Sequence, residues 1–246
     1  MSRHQAGRYG TDAPWVPVVW LGVAVIMLAG AIIDFVADQP WWAILCVVIL
    51  IIFLAGGLLY LHASHRGKFV VWESLLDQIP ADEVKTAVDL GCGRGAVLIA
   101  TARHFPSAQV TGVDLWRSID QSGNDPARTR ANAEANGVAD HIELITADLQ
   151  DLPLPEASAD LVVSSLAIHN IPTAQGRAKA VRGAWHILRP GGRLIIVDLP
   201  KIREYAPVLR ELGAQLDDPA GLGWRMWWSG PWMPTQVLHA TKPSSS

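Results

Sequence analysis

Val88-Asp-Leu-Gly-Cys-Gly-Arg-Gly95 decides how this chain folds. A β-branched run over residues 84–90 holds an acid, Asp89, near its end. Glycines follow at 91, 93 and 95, and residues 96–104 then carry apolar side chains at helical spacing. The order is strand, glycine turn, helix. Glycine removes side chains where a ligand must touch the backbone, and amides at a helix N-terminus favour negative charge.

Working outward, residues 110–114 form a second strand ending in Asp114. Residues 125–136 form a helix with Asp125 as N-cap, Pro126 in its first position and Gly137 as its stop. Further strands are expected at 142–145, 161–164 and 194–198, with helices at 173–188 and 202–212. Pro190-Gly191-Gly192 reads as a helix stop. Residues 224–228 and 236–241 read as two strands around Ser229-Gly230-Pro231. Alternating strands and helices give an α/β fold. It is expected to be Rossmann-like, doubly wound and mostly parallel, with seven strands and a C-terminal antiparallel hairpin. Ligands of such sheets bind at the carboxyl ends of the strands, beside the switch point. Asp89, the glycines and Asp114 all fall there.

Asp114 suits a ribose diol, because one carboxylate accepts from two hydroxyls. Dinucleotide enzymes share that logic, so a nicotinamide-dependent oxidoreductase stays open as an alternative. Gly-x-Gly-x-Gly with Asp89 two residues ahead suits a cationic amine and sulfonium better than a pyrophosphate.

Residues 13–33 and 41–61 hold no charged side chain. Each is long enough for the roughly 20 residues that cross a bilayer core. Asp34, Asp38, Gln39 and Pro40 separate them as a tight polar turn, and Trp15, Trp20, Trp41, Trp42 and Tyr60 stand at headgroup level. A cleaved signal peptide is disfavoured by the length of the first run and by the second run behind it. A hairpin buried in a soluble core is disfavoured by two uninterrupted runs. Arg3, Arg8, His62, His65, Arg66 and Lys68 flank the pair, and the turn carries only acids. The positive-inside rule then puts both termini in the cytoplasm. The expectation is an integral cell-membrane protein, with a transmembrane hairpin over residues 1–65 and a catalytic domain over 66–246. The net charge of −3 is too small and mixed to suggest nucleic acid as a partner, and the two cysteines suggest neither a disulfide nor a metal site.

The pattern resembles the class I methyltransferases that use S-adenosylmethionine. The residues that carry it are the glycine turn, Thr111-Gly-Val-Asp114, Ala147-Asp148 and Leu188-Arg-Pro-Gly-Gly-Arg-Leu194. The resemblance implies S-adenosylmethionine as cofactor. It implies that Asp89, Gly91, Cys92 and Gly93 hold the methionine part. Asp114 would take the ribose, with Leu115 against the adenine. Asp148 would accept from the adenine amino group, with Leu149 beside it, and Ser165 would offer its carbonyl to the methionine amine.

The acceptor is read as small or lipophilic. His169, just past the fourth strand, suits removal of a proton from a nucleophile, although it equally suits a wall position. Methyl transfer often needs only alignment of the reacting atoms. Asp120, Gln121 and Asn124, in a long polar loop after the ribose acid, either line the substrate mouth or make turns. Lys68 and Trp72 join the second apolar run to the domain. Trp224, Trp227, Trp228 and Trp232 crowd the last hairpin, as core, as membrane contact or as an aromatic wall. A tethered S-adenosylmethionine-binding protein without turnover stays open. So does a protein or RNA methyltransferase, although Ser164-Ser165-Leu166-Ala167 stands where many amino-group enzymes carry Asn/Asp-Pro-Pro-Tyr.

Overall fold

The computed structural model describes residues 5–117, 121 and 123–244. Arg3 and Asp120 lie outside them. Two long helices come first, α1 (Trp15–Val36) and α2 (Pro40–His62), with Pro40 in the first turn of α2. They pack side by side where small residues allow it. A Cβ on Gly57 would meet Leu21 Cδ2 at 2.8 Å, and Trp20 lies against Phe53 with ring centroids 4.8 Å apart. Their outer surface stays apolar and uncovered, with Ile26, Ile33, Phe35, Trp41 and Ile51 exposed. Both helices are long and apolar enough to cross a membrane.

No loop follows α2. One π-helical turn, Ala63–Gly67, carries it straight into α3 (Lys68–Leu76). Residue 65, beside the expected boundary, lies inside this continuous helix. Residues 5–12 run as a strap over the globular part. Gln5 Nε2 donates to Ala96 O, Arg8 N donates to Asn132 Oδ1, and Arg94 Nη1 donates to Arg8 O.

Among the described residues the sheet has eight strands. β1 (Thr86–Leu90), β2 (Gln109–Asp114), β3 (Ile142–Thr146), β4 (Ala159–Ser165) and β5 (Leu188–Asp198) are parallel, in the order β3-β2-β1-β4-β5. The chain order reverses between β1 and β4, so the switch point lies outside their carboxyl ends. α3 and α4 (Ala96–His104) cover one face, with α5 (Pro126–Ala135) beside them. α6 (Ala174–Ile187) and α7 (Tyr205–Glu211) cover the other. Strand residues alternate between the two cores. Leu161 and Val163 face the first, and Val162 and Ile196 face the second.

The C-terminal part corrects the expected hairpin. Beyond two-residue β6 (Gln215–Leu216) and β7 (Ala220–Gly221), β8 (Gln236–Thr241) pairs antiparallel with β5, and β6 and β7 pair with β8. The sheet is thus not a seven-stranded one, and residues 224–228 are not a strand. Trp224–Met226 is a 3-10 turn pressed against the π-helical turn. Trp228 is buried, donates from Nε1 to Thr235 Oγ1 and meets Tyr60 edge-on. These contacts outweigh the strand preference of tryptophan. Pro190-Gly191-Gly192 also differs: it lies within β5, where the register with β4 shifts, rather than in a separate turn. The helix expected at 202–212 is split into a 3-10 stretch, Pro200–Glu204, and α7.

Gly67 is the tightest point of this docking, because a Cβ there would lie 1.8 Å from the Arg225 carbonyl oxygen. Backbone cannot yield cheaply, so Gly67→Ala should cost about 1–3 kcal/mol. That lowers the melting temperature by roughly 2–12 °C. Gly22→Ala, with nothing within 4 Å of the added Cβ, is the matched control and should be neutral or mildly stabilising in the same thermal scan in detergent. Equal melting temperatures for the two variants would refute tight docking at Gly67.

Candidate active site

A cavity of about 570 Å³ opens over the carboxyl ends of β1, β2 and β4. Its floor is the glycine turn. Gly91 has φ +77°, and a Cβ there would lie 2.1 Å from Ala167 Cβ, so the turn tolerates only glycine. Gly93 N donates to Asp114 Oδ2 at 2.8 Å, while Trp116 N and Asn124 Nδ2 donate to Oδ1. These donors fix the carboxylate at the end of β2.

Asp89 stands apart. It is 1% exposed, and no side chain bonds to either carboxylate oxygen; only the backbone amide of Leu98 is turned toward it. Burial, reinforced by the charge of Asp114, pushes its pKa up to about 8. A buried acid without side-chain partners, in a cavity wall, is a place waiting for a cation. Burial, with the nearby acids Asp89 and Asp114, also holds the Cys92 thiol well above its ordinary range, so it serves as a small neutral wall residue.

Across the cavity, Asp148 accepts from Gln150 N and Nε2, and Leu149 is buried beside it. At the end of β4, Ser164 Oγ donates to Leu90 O and Trp72 Nε1 donates to Ser165 Oγ, fixing the strand end. Leu166 follows with φ +55°, a strained conformation for a branched side chain.

His169 borders the same cavity. Its Nδ1 is hydrogen-bonded to Asp198 Oδ1. A carboxylate acceptor requires the hydrogen on Nδ1, which leaves the lone pair on Nε2. Asp198 is fully buried and also accepts from His169 N, Leu199 N and Tyr205 Oη. Burial and the Asp198 charge drive the Tyr205 hydroxyl far above its ordinary pKa, so it remains a donor.

The opposite wall comes from the strap and the α2–α3 junction. Lys68 Nζ donates to Asp12 Oδ2 at 2.8 Å, and its side chain is buried. Ser64 Oγ donates to the same oxygen, and Gln121 Nε2 donates to Asp12 Oδ1. Gln121 Oε1 accepts in turn from Arg94 N in the glycine turn.

The cavity thus gathers the cofactor residues expected from sequence: Asp89, Gly91, Cys92, Gly93, Asp114, Leu115, Asp148, Leu149 and Ser165. It also gathers Lys68, Gln121, Asn124 and His169. Two expected residues do not border it. Trp72 stands behind Ser165, and Trp224 lies outside, stacked on His62 with ring centroids 4.8 Å apart. Sequence reading missed Asp12 and Asp198. Asp198 ends β5 as Asp89 and Asp114 stand at the ends of theirs, and the same signal would have found it. Asp12 gave no local signal.

Comparison with known proteins agrees with this geometry. Residues 88–196 match the family described as "Methyltransferase domain". The chain is 33% identical over 143 residues to the bacteriochlorophyllide d C-20 methyltransferase of Chlorobaculum tepidum, across 57% of this chain and 39% of that protein. It is 27% identical over 131 residues to the sterol 4-C-methyltransferase of Caenorhabditis elegans, across 53% and 36%. It is 26% identical over 130 residues to a ubiquinone/menaquinone biosynthesis C-methyltransferase of Roseobacter denitrificans, across 53% and 48%. The matches thus span less than half the length of these relatives. Among solved structures, geranyl diphosphate methyltransferase in complex with GPP and sinefungin superposes with a TM-score of 0.56 at 17% identity, over 70% of this chain and 76% of that one. A [4+2]-cyclase, SpnF, superposes at 0.55 and 17%, over 70% and 82%, so the fold alone does not fix the reaction. The strand-end acids, the buried Asp89 and the matched segment agree: residues 88–196 are similar to a methyltransferase domain, and the cavity they line has the acids that a site for S-adenosylmethionine calls for.

Proposed function

We propose that the chain is a membrane-anchored methyltransferase that moves a methyl group from S-adenosylmethionine to a small lipophilic acceptor. The observation that carries this reading is one cavity joining the cofactor acids to His169 and to the ends of two apolar helices. The relatives support the acceptor class, since their names speak of a sterol, a bacteriochlorophyllide and quinones. The strap supports the topology. Residues 5–12 bond to the catalytic domain, so they share its side of any membrane, and two crossings satisfy that. With the basic flanks this side is the cytoplasm. A cysteine introduced at Asp38 should then react with an impermeant maleimide in intact cells. Protection of that site, with labelling at residue 242 instead, would reverse the orientation.

When bound, the cofactor supplies an electrophilic methyl carbon on a sulfonium. Asp89 would hold the methionine ammonium, Asp114 the ribose hydroxyls and Asp148 the adenine amino group. His169, with its Nδ1 held by Asp198, would take the acceptor's proton on Nε2 as the methyl group is transferred. Methyl-labelled cofactor, incubated with purified protein and a membrane lipid extract, should yield an organic-soluble labelled product. Label confined to protein or RNA would overturn the acceptor class.

Asp89 makes a separate prediction. The carboxyl is mostly protonated in the empty site at neutral pH, and an incoming ammonium favours its ionised form. Binding at pH 7 should therefore release close to one proton, and affinity should rise from about pH 6 to 7.5. Calorimetry in buffers of different ionisation heat measures that proton, and Asp89→Asn should abolish it. For the empty protein the sign is opposite. The unfolded chain gives up this proton near its ordinary carboxyl pKa and the folded one only near 8, so stability falls as pH rises across that window.

A further inference from the structure

The cavity does not end at the polar floor. Its outer wall is built from Trp15 and Val16 in the first turn of α1, Tyr60 in the last turns of α2, and Trp228 and Met233 in the C-terminal loop. Trp15 and Met233 are exposed to the outside as well as lining the inside. The same loop lies along the flank of the helices. Trp232 stacks on Trp20 with ring centroids 6.1 Å apart, and a Cβ on Gly56 would lie 3.0 Å from Ser229 O. Trp20 stands five residues into the helix from Trp15. At about 1.5 Å per residue the loop tip therefore reaches roughly 7 Å along the span. That is the depth of the headgroup layer, where tryptophan rings are favoured.

From this we infer that the gap between the first turn of α1 and residues 230–233 is a lateral portal, through which an amphiphilic acceptor presents its polar head to His169 while its hydrocarbon tail stays in the bilayer. The inference rests on the proposed methyltransferase reading and sharpens its substrate class. A wholly water-soluble acceptor has no use for a wall of Trp15, Val16 and Met233. A wholly apolar one offers nothing to His169. The fitting acceptor has one ionisable hydroxyl or acidic carbon at the end of a hydrocarbon chain. The occupant of the outer wall is that chain, because Trp15 of the wall is itself exposed and is followed along α1 by exposed Val18 and Val19.

The test uses the full-length protein in phosphatidylcholine nanodiscs and, as probe, an alkylphenol with a diazirine midway along its tail. After illumination, peptide mapping should find label concentrated on residues 13–16 and 230–233, and excess unlabelled alkylphenol should compete for it. Met233→Glu or Val16→Glu should lower that labelling about tenfold, with S-adenosylmethionine affinity unchanged by calorimetry. Label spread evenly over lipid-facing residues 25–36, or insensitive to both substitutions while the cofactor still binds, overturns the portal and leaves the methyltransferase reading standing. Failure of the unsubstituted protein to bind the cofactor removes the reading beneath it.

Discussion

Replacing Asp114 by alanine should weaken S-adenosylmethionine binding by at least about 100-fold. A hydrogen bond to a charged acceptor contributes about 1.5–3 kcal/mol, and a ribose diol makes two. At 1.4 kcal/mol per tenfold, the loss is roughly 10²–10⁴ in affinity. The loss extends beyond the direct contacts. Asp114 also holds Gly93 N and Trp116 N, so the alanine variant releases the glycine turn and the start of the following loop together. Asp114→Asn separates these effects, since it keeps an oxygen for the backbone but loses the charge, and it should fall between the two. Calorimetry with the alanine variant decides the matter, and an affinity within threefold of the parent would end the ribose assignment.

The second large effect is expected at His169. General-base assistance contributes about 10²–10⁴-fold. His169→Ala should therefore lose that much kcat on the acceptor identified by methyl labelling, while cofactor affinity stays unchanged. Added imidazole should restore part of the rate, which a merely structural histidine would not allow. Asp198 is a positioning residue. Its carboxylate selects the Nδ1–H tautomer, and asparagine there presents either an amide nitrogen or a weaker acceptor. Asp198→Asn should lower kcat and leave the acceptor KM in place. Retention of more than a third of kcat in His169→Ala would show that alignment alone carries the transfer.

The parts of this fold that were legible in the sequence are those whose signal is local. The glycine turn, β1 to β4 and the N-cap of α5 each declare themselves within ten residues, and Asp125 does accept from Ala127 N as a cap should. The acids of the cavity were visible because the parallel sheet puts them at strand ends. The chain read less well where distant contacts decide. Residues 224–228 look like a strand by composition, yet Gly67 and Tyr60, more than 150 positions earlier, hold them as a turn. β6 and β7 are two residues each, too short for any period to show. Pro190-Gly191-Gly192 has the chemistry of a stop but is absorbed into β5 as a register shift. Asp12 escaped altogether. Its partners Lys68 and Gln121 are 56 and 109 positions away, and nothing beside it in sequence announces them.

That strap also sets a timetable. Ala6 bonds to Asn136, which lies 130 positions later in the chain. At about 5–20 residues per second of synthesis, roughly 6–26 s separate the emergence of the two. The two long apolar helices leave the ribosome well within that interval, while residues 5–12 have nothing to bind. Some of the first residues made therefore take up their bonds only after the helix that holds Asn132 and Asn136 has formed. A bulky fusion placed directly ahead of Gln5 would sit beside these bonds and compete with their formation. A fusion at the other end of the chain, beyond β8, touches none of them, so the position of a purification handle decides whether the strap can form.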